Sequence, residues 1–129
     1  METNLTEEQF ELFKNHVKYM QTFLGLSDWD IVAEATLDRT ASTQAQCAVD
    51  PVARQATLTL NMWNVDDSSD ANVANSATHE VLHVLLADLE WPLRDAVKDR
   101  EDADALLSRF ESASHAVINR LLRVIAPRQ

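Results

Sequence analysis

The sequence predicts an α+β fold: a long N-terminal helix, a small three-stranded sheet containing an antiparallel pair, a central helix and a C-terminal helix. Three patterns carry that reading. Apolar residues recur at intervals of three and four near both ends of the chain, alternate at intervals of two between Trp29 and Met62, and run almost unbroken from Val81 to Leu89. With 129 residues, 46% of them apolar and 25% charged, the chain is sized for one domain spanning 1–129, and a wholly disordered or collagenous chain is excluded.

Phe10, Phe13, Val17, Met20, Phe23 and Leu24 fall at helical spacing behind Asn4 or Thr6 as the cap, with Glu7 and Glu8 in the first turn, which predicts a helix over Thr6 to Phe23. Gly25, the only glycine, stands where a left-handed C-terminal cap belongs. Trp29 to Ala35, Ala45 to Val49 and Arg54 to Met62 then alternate as strands. Asp50-Pro51 marks a turn, so the second and third strands are expected to form an antiparallel hairpin, with Arg54 to Met62 as an exposed edge. The polar run at 66–70 precedes Val73, Ala77, Val81, Val84 and Leu85, which places the start of a second helix at Ser69 or Asp70 and its end or a new start at Pro92. Leu106, Leu107, Phe110, Ala113, Val117, Leu121, Val124 and Ile125 form the stripe of a final helix.

A net charge of −10 repels phosphate backbones and anionic lipid surfaces, so nucleic acid is not the expected partner. The apolar stretch 81–89 is about half the length of a membrane span, so no membrane partner is expected either. One cysteine, Cys47, and an acidic start without the features of a secretory signal make the cytoplasm the expected compartment.

The chemistry concentrates in His79-Glu80-Val81-Leu82-His83, an HExxH sequence inside the most apolar helix. Histidines four residues apart leave one face of a helix about 6 Å from each other, which lets both imidazoles reach one tetrahedral zinc. Glu80 points into the adjacent sector, where its carboxylate can take the proton of a water that the zinc polarises. An unpaired glutamate in such a helix costs several kcal/mol in desolvation, and a metal site offsets that cost.

A third protein ligand is needed. The extended HExxHxxGxxH pattern is absent, because Leu86 and Leu89 occupy its glycine and histidine positions. In the final helix Glu111 and His115 are four apart on one flank of the apolar stripe. Either Glu111 binds, with His115 facing substrate or supporting a ligand, or His115 completes a three-histidine site with Glu111 outside it. Glu101 is a weaker candidate.

LGLSDWDIV, ATLTLNMW, ATHEVLHVLLADLE and the final helix together resemble the small zincin-like metallopeptidases, including minigluzincins and related proteins of bacterial and phage genomes. The resemblance spans nearly the whole chain, and its specific part is HEVLH. It implies a minimal zincin-like fold, His79 and His83 as zinc ligands, Glu80 as general base, and a downstream glutamate ligand, for which FESASHAVINRLL offers Glu111 beside His115. It also implies a peptide or protein substrate laid as an extra strand along the sheet edge nearest the metal, with Arg54 to Met62 as the candidate edge.

Other residues carry plainer readings. Trp29, Trp63 and Trp91 serve as core boundaries or as pocket walls, Cys47 as a small buried hydrophobe, and His16 as a surface or capping histidine. Asp88 and Glu90 either orient a ligand histidine or cover a solvated helix end. The function expected is zinc-dependent peptide hydrolysis; the alternatives are a zinc-stabilised binding module of weak or no activity, and an acidic interaction protein.

Overall fold

The hydroxyl of Thr6 accepts a hydrogen bond from the Gln9 amide while the Gln9 side chain accepts from the Thr6 backbone, a reciprocal cap that starts helix α1 (Glu7–Phe23). In the computed structural model, which describes residues 4–65 and 67–125, α1 is followed by strands β1 (Asp30–Thr36), β2 (Ala45–Asp50) and β3 (Gln55–Asn61) and helices α2 (Asp70–Val97) and α3 (Ala103–Ile125). The architecture is α+β, as expected from the alternation of patterns along the chain.

The start signals of α1 and α2 and the stop signal of α1 act where the sequence places them. Gly25 has φ +69° and stands one residue past the C-cap, where Gly25 N–H donates to Thr22 C=O and Leu26 N–H to Gln21 C=O. Ser69 caps α2 by accepting from Asn72 N–H. Gln9 also donates to the Ser68 carbonyl and to Asp70, which ties the beginnings of α1 and α2 together.

The sheet order is β1-β3-β2, with β2 antiparallel and β1 parallel to β3. The hairpin is therefore as expected, but the strand at Arg54 to Met62 is not an edge: β3 is the central strand. Ala56, Leu58 and Leu60 on it are at most 3% exposed. Alternation reports one buried face and is silent about how many sides of the strand are paired, which is why the edge could not be read from it. The open edges belong to β1 and β2.

One face of the sheet meets α1 and α2, whose Phe13, Val17, Met20, Val73, Ala77, Val81 and Val84 join the strand residues in a single core. α2 is the hub, packed against α1, α3, β2 and β3. Pro92 does not end it. Its ring removes the hydrogen bond to the Asp88 carbonyl in an exposed stretch, where water can satisfy that carbonyl, and the helix continues to Val97. α3 is turned differently from its apolar stripe: Ser114 and Ile118 are its buried residues, while Ala113, Val117 and Val124 are exposed. No helix among the described residues is long and apolar enough to cross a membrane.

Candidate metal centre

His79 and His83 leave one face of α2 a turn apart, and their Nε2 atoms lie 3.2 Å from each other. α3 brings His115 to the same place. The three rings have centroid separations of 4.9, 5.9 and 5.1 Å, and one ring nitrogen from each lies within 4.8 Å of the other two. Zinc–nitrogen bonds of 2.0–2.1 Å in a tetrahedral site bring donor atoms to about 3.4 Å, close to the spacing of the His79–His83 pair. The donor set fits zinc: three imidazoles leave a fourth position for water or substrate.

The electrostatics favour the metal-binding form of these histidines. Burial first, then the neighbouring His83 and His115, hold His79 down at about 4, and burial with His115 lowers His83, so both present neutral nitrogens at pH 7. Glu90 pulls His83 in the opposite direction.

Glu80, next along α2, is 7% exposed and faces the cavity beside the histidines. It has no hydrogen bond or ion pair among the described residues, and burial pushes its carboxyl up to about 7. A carboxyl poised there exists in both protonation states near neutral pH, which suits a group that takes and returns a proton.

Two adjoining cavities, of about 420 and 400 Å³, share His79 and Glu80 and lie against β2. Ser42, Gln44, Asn72 and Asn75 line the first, and Val49, Leu86, Phe110 and Glu111 are among those lining the second. The cluster is therefore reached from solvent through a groove with β2 as one wall.

Of the five residues expected at the site, His79, Glu80, His83 and His115 converge. Glu111 does not join the converging nitrogens: it is exposed on the cavity wall one turn before His115. Glu101 is exposed in the turn before α3. Asp88 points to Arg54, which also holds Asp28 and covers the Trp29 ring at 4.5 Å. Trp29 is buried in the core, Trp63 is covered by Arg39 and Trp91 is exposed; none lines the histidine cavity. His16 is within hydrogen-bonding distance of the Thr78 hydroxyl at 2.9 Å, away from the cavity.

Sequence reasoning missed the wall opposite the histidines. Thr43, Ala45, Cys47 and Val49 supply it. Burial, with Glu80 and Glu90 nearby, pushes the Cys47 thiol up to about 12, so it stands there as a neutral, small apolar group. The signal was the alternation Ala45-Cys47-Val49, which marks one inward face but not the helix that covers it; the structure packs that face on α2. Comparison of the chain with protein-family profiles, curated proteins and solved structures finds no significant match.

Proposed function

We propose that this protein is a zinc-dependent hydrolase of peptide bonds, with His79, His83 and His115 as metal ligands and Glu80 as general base. The observation that carries the reading is the convergence of three imidazoles beside a buried carboxyl with no partner of its own, at the floor of an open groove. A zinc ion held there supplies polarisation of a carbonyl and acidification of water.

The chain's own residues supply the rest. Glu80 in its ionised form accepts a proton at a carboxylate oxygen, and in its protonated form returns it to the leaving amine. The apolar surroundings that raise its pKa also make it a better base once ionised. The unpaired side of β2 offers backbone N–H and C=O groups to an extended peptide, in the role that the sequence assigned to Arg54 to Met62. This is the activity of the zincin-like metallopeptidases that the HEVLH segment resembles.

The test is metal content followed by turnover. Purified protein is expected to hold about one zinc per chain, with His115→Ala losing it and Glu111→Ala retaining it. Glu80→Gln is expected to retain zinc and to lose hydrolysis of a casein or mixed-peptide substrate by at least a hundredfold. The three-histidine set, in place of two histidines and a glutamate, favours a second reading, a zinc-stabilised binding module. In that case Glu80→Gln leaves function unchanged. Failure of the unaltered protein to take up zinc would overturn both.

A further inference from the structure

We propose that two copies of this chain pair through the side of the molecule formed by α1 and α3, with α3 of each copy lying antiparallel on α1 of the other. The inference goes beyond the hydrolase reading and stands apart from it. Its starting point is an apolar surface to which all three helices contribute. Tyr19 and Phe23 on α1 stack on each other at 6.0 Å and are each more than half exposed. Leu89 on α2 is exposed, as are Ala113 and Val117 on α3. Ala113 and Val117 each stand two residues from His115, a rotation of roughly 160°, so they occupy the side of α3 away from the groove. Leu89 is eleven residues past Thr78, hence on the same line of α2, and Thr78 is the residue that His16 of α1 reaches. None of the five lines either groove cavity, so pairing leaves the groove open. Exposed apolar side chains gathered on one side in this way mark an interaction surface.

A second copy is the occupant because the chain carries the complement of α3 on its own α1. Arg109 and Arg120, eleven apart and so on one line of α3, edge Ala113 and Val117 on the solvent side and have no ion pair among the described residues. Glu8, eleven before Tyr19 and on the same line of α1, is equally unpaired. Gln9 ties the starts of α1 and α2 together, so these two run the same way. α3 returns against them, since Leu122 shares a cavity with Asn72, and Phe110 shares one with Leu86. A two-fold axis along the helices therefore sets α1 of one copy antiparallel on α3 of the other. In that register Glu8 meets Arg120, Leu12 meets Val117 and Tyr19 meets Arg109: a charge pair, an apolar pair and a cation over a ring. Symmetry forms two such helix pairs, each about 25 Å long. The net charge of −10 opposes pairing at long range, but physiological salt screens it beyond about 8 Å and leaves the local pairs to decide. α3 packs substantially on α2 alone, so pairing also braces the helix that carries His115.

Sedimentation equilibrium of the unaltered full-length chain, at about 1–200 μM in physiological salt, tests the pairing. A monomer–dimer equilibrium between 14.5 kDa and twice that mass is expected, with a dissociation constant of about 1–50 μM. Val117→Glu, at an exposed site, is expected to weaken the dimer about tenfold or more, and Glu8→Arg and Arg120→Glu each by about threefold to tenfold. Combining Glu8→Arg with Arg120→Glu should bring the constant back to within about threefold of its original value. Val52→Glu, exposed in the turn between β2 and β3, should leave it unchanged, and circular dichroism should show the helices intact in every variant. A monomer at every concentration, assembly beyond the dimer, an unchanged constant in Val117→Glu, an equal weakening in Val52→Glu, or a double variant no tighter than the single ones would each overturn the pairing. So would a monomer that floats with phosphatidylserine vesicles, which would give this face to a membrane surface. Absence of peptide hydrolysis in the same samples bears on the hydrolase reading alone.

Discussion

Glu80 is where local chemistry and folding stability meet. Its carboxyl titrates at about 7 in the fold against an ordinary 4.5, so the folded chain binds more protons than the unfolded one between those values. The sign follows directly: metal-free protein loses stability as pH rises from 4.5 through 7, by up to about 3 kcal/mol. His79, held down at about 4, acts oppositely and costs stability as pH falls from 6.5 to 4. Metal-free Glu80→Gln, which keeps the shape and removes the charge, is therefore expected to be more stable than the unaltered chain at pH 8, with the difference vanishing near pH 4.5. Urea melts at the two pH values check this, and equal midpoints at pH 8 would contradict the burial argument. The identity of His79, Glu80 and His83 as a unit was legible in sequence because helical spacing is a local property. The choice between Glu111 and His115 was not, since both lie one turn apart on the same flank and only the rotation of α3 turns His115 inward.

At the scale of elements, capping residues act locally and were readable as such. Gly25 at φ +69° meets nothing within 4 Å of an added Cβ, so Gly25→Ala changes only backbone strain and is expected to cost about 1 kcal/mol, read from the shift of a denaturation midpoint. Pro92 shows the opposite case. A proline is a strong local stop signal, yet α2 passes through it because the two sides of the helix are held by tertiary packing, from Ala87 on one side and Val97 on the other. Pro92→Ala restores the hydrogen bond to Asp88 at an exposed site and is expected to stabilise the protein by about 1–2 kcal/mol, after allowing for the freer unfolded chain. A decrease in thermal midpoint for this variant would show that the ring is packed and not merely tolerated. The position of β3 belongs here too. Its side-chain period identified a strand with one buried face, but the parallel partner β1 comes from a distant segment with no local mark of pairing.

For the whole molecule, the core and the site share α2. Val81, Leu82 and Val84 are fully buried between and beside the histidines, so anything that stabilises the helix holds the site and a metal in the site stabilises the helix. Zinc at a hundredfold excess over its dissociation constant is expected to add about 2.7 kcal/mol to folding stability. The rise in melting temperature should disappear with a chelator and be absent in His115→Ala; a rise that persists in that variant would place the metal elsewhere. Leu58→Ala, at the centre of the sheet, is expected to cost about 2–5 kcal/mol, because the fully buried strand face leaves a cavity that helices on one side cannot collapse into.

Periodicity, caps and HEVLH are properties of neighbours along the chain, and they carry the order and type of the elements, a buried central helix and the pairing of two histidines with a glutamate on it. Strand order, the rotation of α3 and the wall that β2 places opposite the histidines were decided only in the tertiary structure. Each depends on which distant surfaces bury the most apolar area together, a sum over the whole chain that no single segment records.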